Sequence, residues 1–236
     1  YASTCARLNY YGTYGSAFLI SSFSFDSSVA IIFGTLLSGG RLILSKSGQI
    51  KESYFVEKTL QQTDTILCVP SYYKFLVDEH LLEKSALSKV ILAGENFDET
   101  LLKQHFTYNA KAALYNEYGP TEGSVWATVT KFNSENDRIT IGKPIANVKT
   151  YLLNEYEKPV AIGALGEIAI AGNQVGRGYL FRLELTEERF VTNPFSETPG
   201  ARMYKTGDIG KWLPDGTIKF IGRKDEQLKV RGYRIE

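Results

Sequence analysis

Asn116-Glu117-Tyr118-Gly119-Pro120-Thr121-Glu122 is the string richest in chemistry in this sequence. Gly-Pro fixes a tight turn with exposed backbone, and a hydroxyl and a carboxylate follow it directly. A phosphate can accept from the Thr121 hydroxyl and from free N–H groups, while Glu122 can hold Mg²⁺, a hard cation that prefers oxygen ligands. Tyr118 offers a flat face for a base. A bare Gly-Pro-Thr is more often only a structural turn, but the seven-residue string is far more specific. Tyr204-Lys205-Thr206-Gly207-Asp208 places an acid at an expected loop, where one carboxylate can accept from both ribose hydroxyls; the plainer reading is turn chemistry. Gly222 to Gly232 carries Arg223, Lys224, Lys229 and Arg231 around one alternating strand. Such a charge run is ordinarily a solvated strand face, although Arg223 could reach a phosphate or ribose from it. Asp26, read by itself, suits a helix N-cap before Val29. His80 and His105 belong to no motif and are expected on helix surfaces.

Positioning these groups requires a scaffold, and the first half of the chain alternates two signals. Phe18 to Phe23 is an apolar run, Val29 to Leu37 has helical density, Arg41 to Leu44 is strand-like, and Glu52 to Leu60 reads as a helix. Thr65 to Val69 is a strand, and Pro70-Ser71 opens a helix through Val77, with Pro in the first turn and Ser as a cap. Lys89 to Ala93 is a strand ending at Gly94. A helix begins at Asp98 or Glu99 and fades near Phe106, and Ala112 to Tyr115 is a further strand. Strands alternating with helices predict an α/β fold, a mainly parallel sheet flanked by helices, with ligands beyond the carboxyl ends of the strands. That directs attention to Asp26, Gly94-Glu95 and the loop after Tyr115.

From about Ile139 the turns crowd together and the segments become short and β-rich, such as Glu167 to Ala171 and Thr217 to Ile221, with one helical insert at Leu183 to Arg189. This predicts an α/β subdomain over 1–135 and a smaller β-rich subdomain over 136–224, with the junction near Lys131 to Asp137.

Of the 236 residues, 43% are hydrophobic and 22% charged, the mix of a globular rather than a disordered chain. Lys and Arg number 27 against 26 Asp and Glu, for a net charge of +1. With no global basic field, bulk binding to nucleic acid or to an anionic membrane is not expected. Cys5 and Cys68 do not make a disulfide framework, which points to a reducing, cytoplasmic setting. No run approaches a membrane span, and Tyr1 to Gly12 lacks the features of a signal peptide. There is no initiating Met, Met203 being the only one, and the chain stops just after a basic strand; it reads as a segment of something longer.

NEYGPTE, GEIAIAGNQVGRGYL, YKTGDI and GRKDEQLKVRGYRIE, with SFSFDSS upstream, occur in the order and spacing of the adenylate-forming superfamily. The chain resembles the amino-acid adenylation domain of a nonribosomal peptide synthetase, over essentially its whole length. The resemblance implies that ATP and an amino acid give an aminoacyl-adenylate, and that the acyl group passes to the phosphopantetheine thiol of a peptidyl carrier domain among neighbouring synthetase domains. It implies that Thr121 and Glu122 contact the phosphates and Mg²⁺, that Tyr118 stacks on adenine beside Asn116 and Gly119, and that Gly94 and Glu95 lie along the nucleotide wall. Asp208 would bind the ribose with help from Arg223. Residues 225–236 would be the hinge and start of a small C-terminal lid, with Asp225 matching the hinge itself and Lys229 the loop that enters the site on thiolation. Asp26 would pair with the substrate ammonium, which fatty-acid and aryl-acid ligases do not need. The substrate side chain would meet Ser27, Ala30, Leu67, Ile91, Ala93, Glu117, Val125 and Trp126. Glu117 is the one ionisable group among these eight, which suits a Tyr-like or other large side chain first and a basic one second.

The family's Gly/Ser/Thr-rich phosphate loop, expected before FDSS, and its lid lysine do not occur in these residues. The implied consequences are weak or no turnover by this chain alone, and exposed sheet edge and apolar surface. A fragment that binds nucleotide or assembles without turnover is the competing class, and an acyl- or aryl-acid ligase is the competing branch.

Overall fold

The computed structural model describes residues 2–224, 228–230 and 233–235. The described chain falls into two compact units, one of residues 2–116 with 131–139, the other of 117–130 with 140–224. Residues 131–139, which contain the expected junction, group with the first unit.

The first unit is built from α1 (Ala2–Tyr11), β1 (Ser16–Phe18), α2 (Ser27–Leu37), β2 (Arg41–Ile43), α3 (Ser53–Leu60), β3 (Thr65–Cys68), α4 (Pro70–Asp78), β4 (Lys89–Ala93), α5 (Glu99–Tyr108) and β5 (Ala113–Tyr118). Its strands run in the order β2-β1-β3-β4-β5, and β1 to β4 pair in parallel. All four residues of β3 are buried, as a strand covered on both faces must be. Phe18, Ile66, Cys68, Val90 and Leu92 point into one core with side chains of α3, α4 and α5. By the two-residue period of a strand, Ala17, Leu67, Ile91 and Ala93 point to the opposite face. There α2 packs on β1, β2 and β3, and its buried Ala30 and Ile31 lie outside the first core. The outward side of α2 leaves Val29, Phe33, Leu36 and Leu37 exposed.

Several expectations need correction. Of the apolar run Phe18 to Phe23 only Phe18 lies in a strand, which spans Ser16–Phe18. The cap of α4 is Val69, with Pro70 in the first turn; Ser71 instead has its N–H bound by the Glu95 carboxylate, 3.0 Å away. His105 is not on a surface: it is fully buried between Tyr73 and the Ala112 carbonyl. The strand begun near Ala112 runs on to Tyr118, so Asn116, Glu117 and Tyr118 are strand residues and not loop. Helix α1 buries Arg7 and Tyr11, one turn apart on one face, with Arg7 lying over the Tyr11 ring and Tyr11 meeting Tyr115 edge-on at 4.8 Å.

The remaining elements are β6 (Thr128–Phe132), β7 (Lys143–Pro144), β8 (Val148–Leu153), β9 (Leu165–Gly172), α6 (Leu183–Arg189), β10 (Phe190–Thr192), β11 (Arg202–Trp212), β12 (Ile218–Arg223), β13 (Leu228–Val230) and β14 (Tyr233–Ile235). Strands β10-β11-β9-β8 form an antiparallel sheet with β12 on the other side of β11. Leu153, Ala169, Ala171 and Met203 form a small core on it. The sequence suggests a loop at Thr206-Gly207-Asp208, yet these residues lie inside the 11-residue β11. Asp225 lies outside the described residues, and Lys229 lies on β13, of which only the backbone is described.

Candidate active site

In the second unit, the Gly-Pro turn is held by the backbone that follows it. Pro120 leads into a short 3-10 turn over Thr121–Gly123, and the chain then reverses through Ser124 at φ 58° and Val125 at φ 80°. A β-branched residue in the left-handed region is a strained outlier. A Cβ on Gly119 would fall 2.6 Å from Trp126 Cα and 2.7 Å from the Val125 carbonyl oxygen, so only glycine fits under that reversal. Thr121 is exposed at the turn, Glu122 and Val125 are half-buried, and Glu117 and Trp126 are buried.

Asp208 owes its position to a bulge. Between Lys205 and Ile209 the register of β11 against β9 shifts, and Gly207 takes φ 76° in the inserted segment. The Thr206 hydroxyl donates to the Ile168 carbonyl at 2.7 Å and accepts the Asp208 N–H at 3.0 Å. The Gly207 N–H donates to Glu167 Oε1 at 3.0 Å. These bonds satisfy the interrupted ladder and present the Asp208 carboxylate to its neighbours. Arg223, the register partner of Asp208 on β12, donates from Nη1 to Asp208 Oδ1 at 2.6 Å, and both side chains are largely buried. The Tyr118 hydroxyl donates to Asp208 Oδ2 at 2.5 Å. Enclosure of the phenol, reinforced by the Asp208 carboxylate, pushes the Tyr118 pKa well above its ordinary value, so it stays a donor. Tyr118, Asp208 and Arg223 therefore form one bonded cluster, and Tyr118 is three residues from Thr121.

In the first unit, Leu67 and Ile91 are register partners on β3 and β4. With Ala93 they face the side on which α2 carries Ala30. Asp26 occupies the N-cap position of α2, with Ser27 next, but its side chain makes no capping bond. No described side chain pairs with its carboxylate. Gly94 reverses the chain after β4 at φ 87°. Glu95 then turns its carboxylate to the start of α4, where the helix dipole favours negative charge. Asn116 is buried near the end of β5.

Tyr179, Gln174 and Tyr204 are polar neighbours of the turn and the cluster to which the motifs attach no role. The Tyr179 hydroxyl donates to Glu122 Oε1 at 2.6 Å and lies 3.1 Å from the Tyr204 hydroxyl. Both tyrosines fall within strings quoted above, GEIAIAGNQVGRGYL and YKTGDI, so the signal was present without a role attached. Among the described residues no group of three or more His, Cys, Asp or Glu is placed to hold a metal. One carboxylate and one hydroxyl at Glu122 and Thr121 suit a hard cation that completes its shell with phosphate and water, so these oxygen donors fit Mg²⁺ brought with a nucleotide. No described helix is long and apolar enough to cross a membrane, and both cysteines are free.

The described chain thus carries an α/β sheet unit, and an antiparallel sheet unit that holds a Gly-Pro-Thr-Glu turn and a Tyr–Asp–Arg cluster. The model of the AMP-binding enzyme family matches residues 2–180, and the chain belongs to that family. It is 43% identical over 228 residues to bacitracin synthase 3 of Bacillus licheniformis, covering 96% of this chain and 4% of that protein. It is also 43% identical over 218 residues to tyrocidine synthase 3 of Brevibacillus parabrevis, covering 91% of this chain and 3% of that protein. Among solved structures it is similar to holo-PA1221, an NRPS protein containing adenylation and PCP domains bound to a vinylsulfonamide inhibitor. That match has a TM-score of 0.84 and 28% identity, covering 93% of this chain and 39% of that one. The chain thus spans a few per cent of the synthases it matches and under half of the solved protein.

Proposed function

We propose that this chain is an incomplete core of an amino-acid adenylation domain in a nonribosomal peptide synthetase, working in the cytoplasm with a carrier-domain partner. In the first step an oxygen of the amino-acid carboxylate attacks the α-phosphorus of ATP. An O–P bond forms, the bond to the β-phosphate bridging oxygen breaks, and pyrophosphate leaves. In the second step a phosphopantetheine thiol, losing its proton, attacks the acyl carbon and AMP leaves. No protein nucleophile is needed, so the protein contributes positioning and charge.

The observation that carries this reading is the bonded cluster of Tyr118, Asp208 and Arg223 continuous in sequence with the Thr121–Glu122 turn. Asp208, oriented by two donors, serves to accept from ribose hydroxyls. The Tyr118 ring, fixed through its hydroxyl, serves as a face for adenine. Thr121 and Glu122 would hold the metal and phosphates, where Mg²⁺ supplies neutralisation of phosphate charge. Asp26, without a capping bond, serves as the partner of the substrate ammonium, and Ala30, Leu67, Ile91 and Ala93 as apolar wall.

Asp26→Ala in the full-length polypeptide tests the amino-acid part. Amino-acid-dependent ATP–pyrophosphate exchange is expected to fall by at least about a hundredfold, the scale of losing a charge-assisted pair, while the thermal melt stays within a few degrees. Unchanged exchange removes Asp26 from substrate recognition.

A further inference from the structure

The segment from Gln174 to Tyr179 bonds to the turn at Glu122–Trp126 at four points, all in the second unit. The Gly176 N–H donates to the Glu122 carbonyl at 2.8 Å, the Ser124 hydroxyl to the Gln174 carbonyl at 2.7 Å, and the Gln174 amide to the Trp126 carbonyl at 3.1 Å. These three bonds fix backbone. The fourth fixes a side chain: the Tyr179 hydroxyl donates to Glu122 Oε1 at 2.6 Å. The geometry points to Tyr179 as a positioning residue that sets the Glu122 carboxylate for a divalent cation bound with nucleotide. This inference rests on the nucleotide and cation role proposed above for Glu122.

The tyrosine is itself held on several sides. Its ring meets Phe190 edge-on at 5.3 Å, and its hydroxyl lies 3.1 Å from that of Tyr204. Its N–H donates to the Thr186 hydroxyl at 2.9 Å. Arg202 donates from Nη2 to the Gly176 carbonyl at 2.7 Å and from Nη1 to the Arg177 carbonyl at 2.9 Å, which ties the loop to β11. A glutamate left to itself samples many rotamers, and ordering it opposes cation capture. A donor already fixed in place removes that penalty before the cation arrives. Because a carboxylate is planar, fixing Oε1 restricts where Oε2 can lie. The surrounding bonds show a built support rather than a chance surface contact, since each one restrains Tyr179 or the loop that bears it.

The test is Mn²⁺ binding in the presence of ATP, followed by electron paramagnetic resonance on the full-length polypeptide. Tyr179→Phe keeps the ring and removes the hydroxyl. Its Mn²⁺ affinity is expected to fall about tenfold, the scale of one charge-assisted hydrogen bond, with an unchanged melting temperature. In a Glu122→Gln background the same substitution is expected to have no further effect, because the two act as one unit. Tyr204→Phe, which removes one restraint on Tyr179 but leaves the Tyr179–Glu122 bond in place, is expected to lose clearly less Mn²⁺ affinity than Tyr179→Phe. Wild-type affinity in Tyr179→Phe, the full loss repeated in the Glu122→Gln background, an equal loss in Tyr204→Phe, or no Mn²⁺ binding by wild type would each overturn the inference. Metal binding with the predicted coupling, but without amino-acid-dependent exchange, would support it while removing the adenylation reading.

Discussion

Replacing His105 should change how stability depends on pH in a calculable way. His105 has no exposed surface. Its Nε2 lies 3.0 Å from the Ala112 carbonyl, which can only accept, so Nε2 carries the hydrogen. Nδ1 then accepts from the Tyr73 hydroxyl at 2.7 Å, and the Asn109 amide donates to that hydroxyl at 3.4 Å. Burial lowers the imidazole pKa from 6.5 to about 4, against an opposing effect of the Ala112 bond. Between those two values the unfolded chain binds more protons than the folded one, so stability rises with pH through the window. The contribution is complete above about pH 6.5 and is lost as pH falls towards 4. Going from pH 7 to pH 5 should remove about 2 kcal/mol through this residue, and the whole window about 3 kcal/mol. With a urea slope of roughly 2–3 kcal/mol/M, the pH 5 midpoint should drop by somewhat under 1 M relative to pH 7. His105→Gln should be less stable at pH 7 by about 1–3 kcal/mol, for the disturbed buried hydrogen bonds, yet lose this part of the pH slope. Carboxylates titrate in both chains, so the difference between the two slopes is the readout. Equal slopes in wild type and variant would refute the assignment of a neutral, buried His105.

Gly119→Ala should destabilise the second unit by about 2–3 kcal/mol, because the new Cβ meets backbone at 2.6 Å rather than a movable side chain; an unchanged urea midpoint would contradict the close approach. Asp208→Ala should cost about 3–5 kcal/mol by leaving the largely buried Arg223 without its carboxylate partner. Arg223→Met in that background should recover part of it, as read by thermal unfolding. Under the proposed function, Asp208→Asn, which keeps the shape but loses the charge, should weaken ATP binding at least about tenfold by calorimetry. Equal affinity would remove Asp208 from nucleotide recognition.

Long-period features of the fold were readable from the residues, and short-range ones less so. Val29 to Leu37, Lys89 to Ala93 and Leu183 to Arg189 announce themselves by period and composition, and the elements fall there. Helix α1 is harder to read, since one of its two buried residues is Arg7, a type that composition places on the surface. His105 looks like an ordinary polar residue near a helix end; only the placement of Tyr73 and Ala112 reveals it as buried. Thr206-Gly207-Asp208 reads as a turn because these residue types favour turns, whereas here they make a bulge within a strand. The Ser124–Val125 reversal carries no glycine to advertise it, and the need for Gly119 appears only once Trp126 is folded back over it. The candidate groups were legible because their types carry chemistry. Their support, from Tyr179, Gln174 and Thr206, was not, because it depends on bonds between residues 38 to 57 positions apart.

The most direct measurement is ATP–pyrophosphate exchange by the full-length polypeptide, compared across single amino acids, fatty acids, aryl acids and no added acid. The account predicts exchange driven by one or a few amino acids and background levels with the rest. Exchange driven by a fatty or aryl acid, or ATP binding with no exchange under any acid, would contradict it.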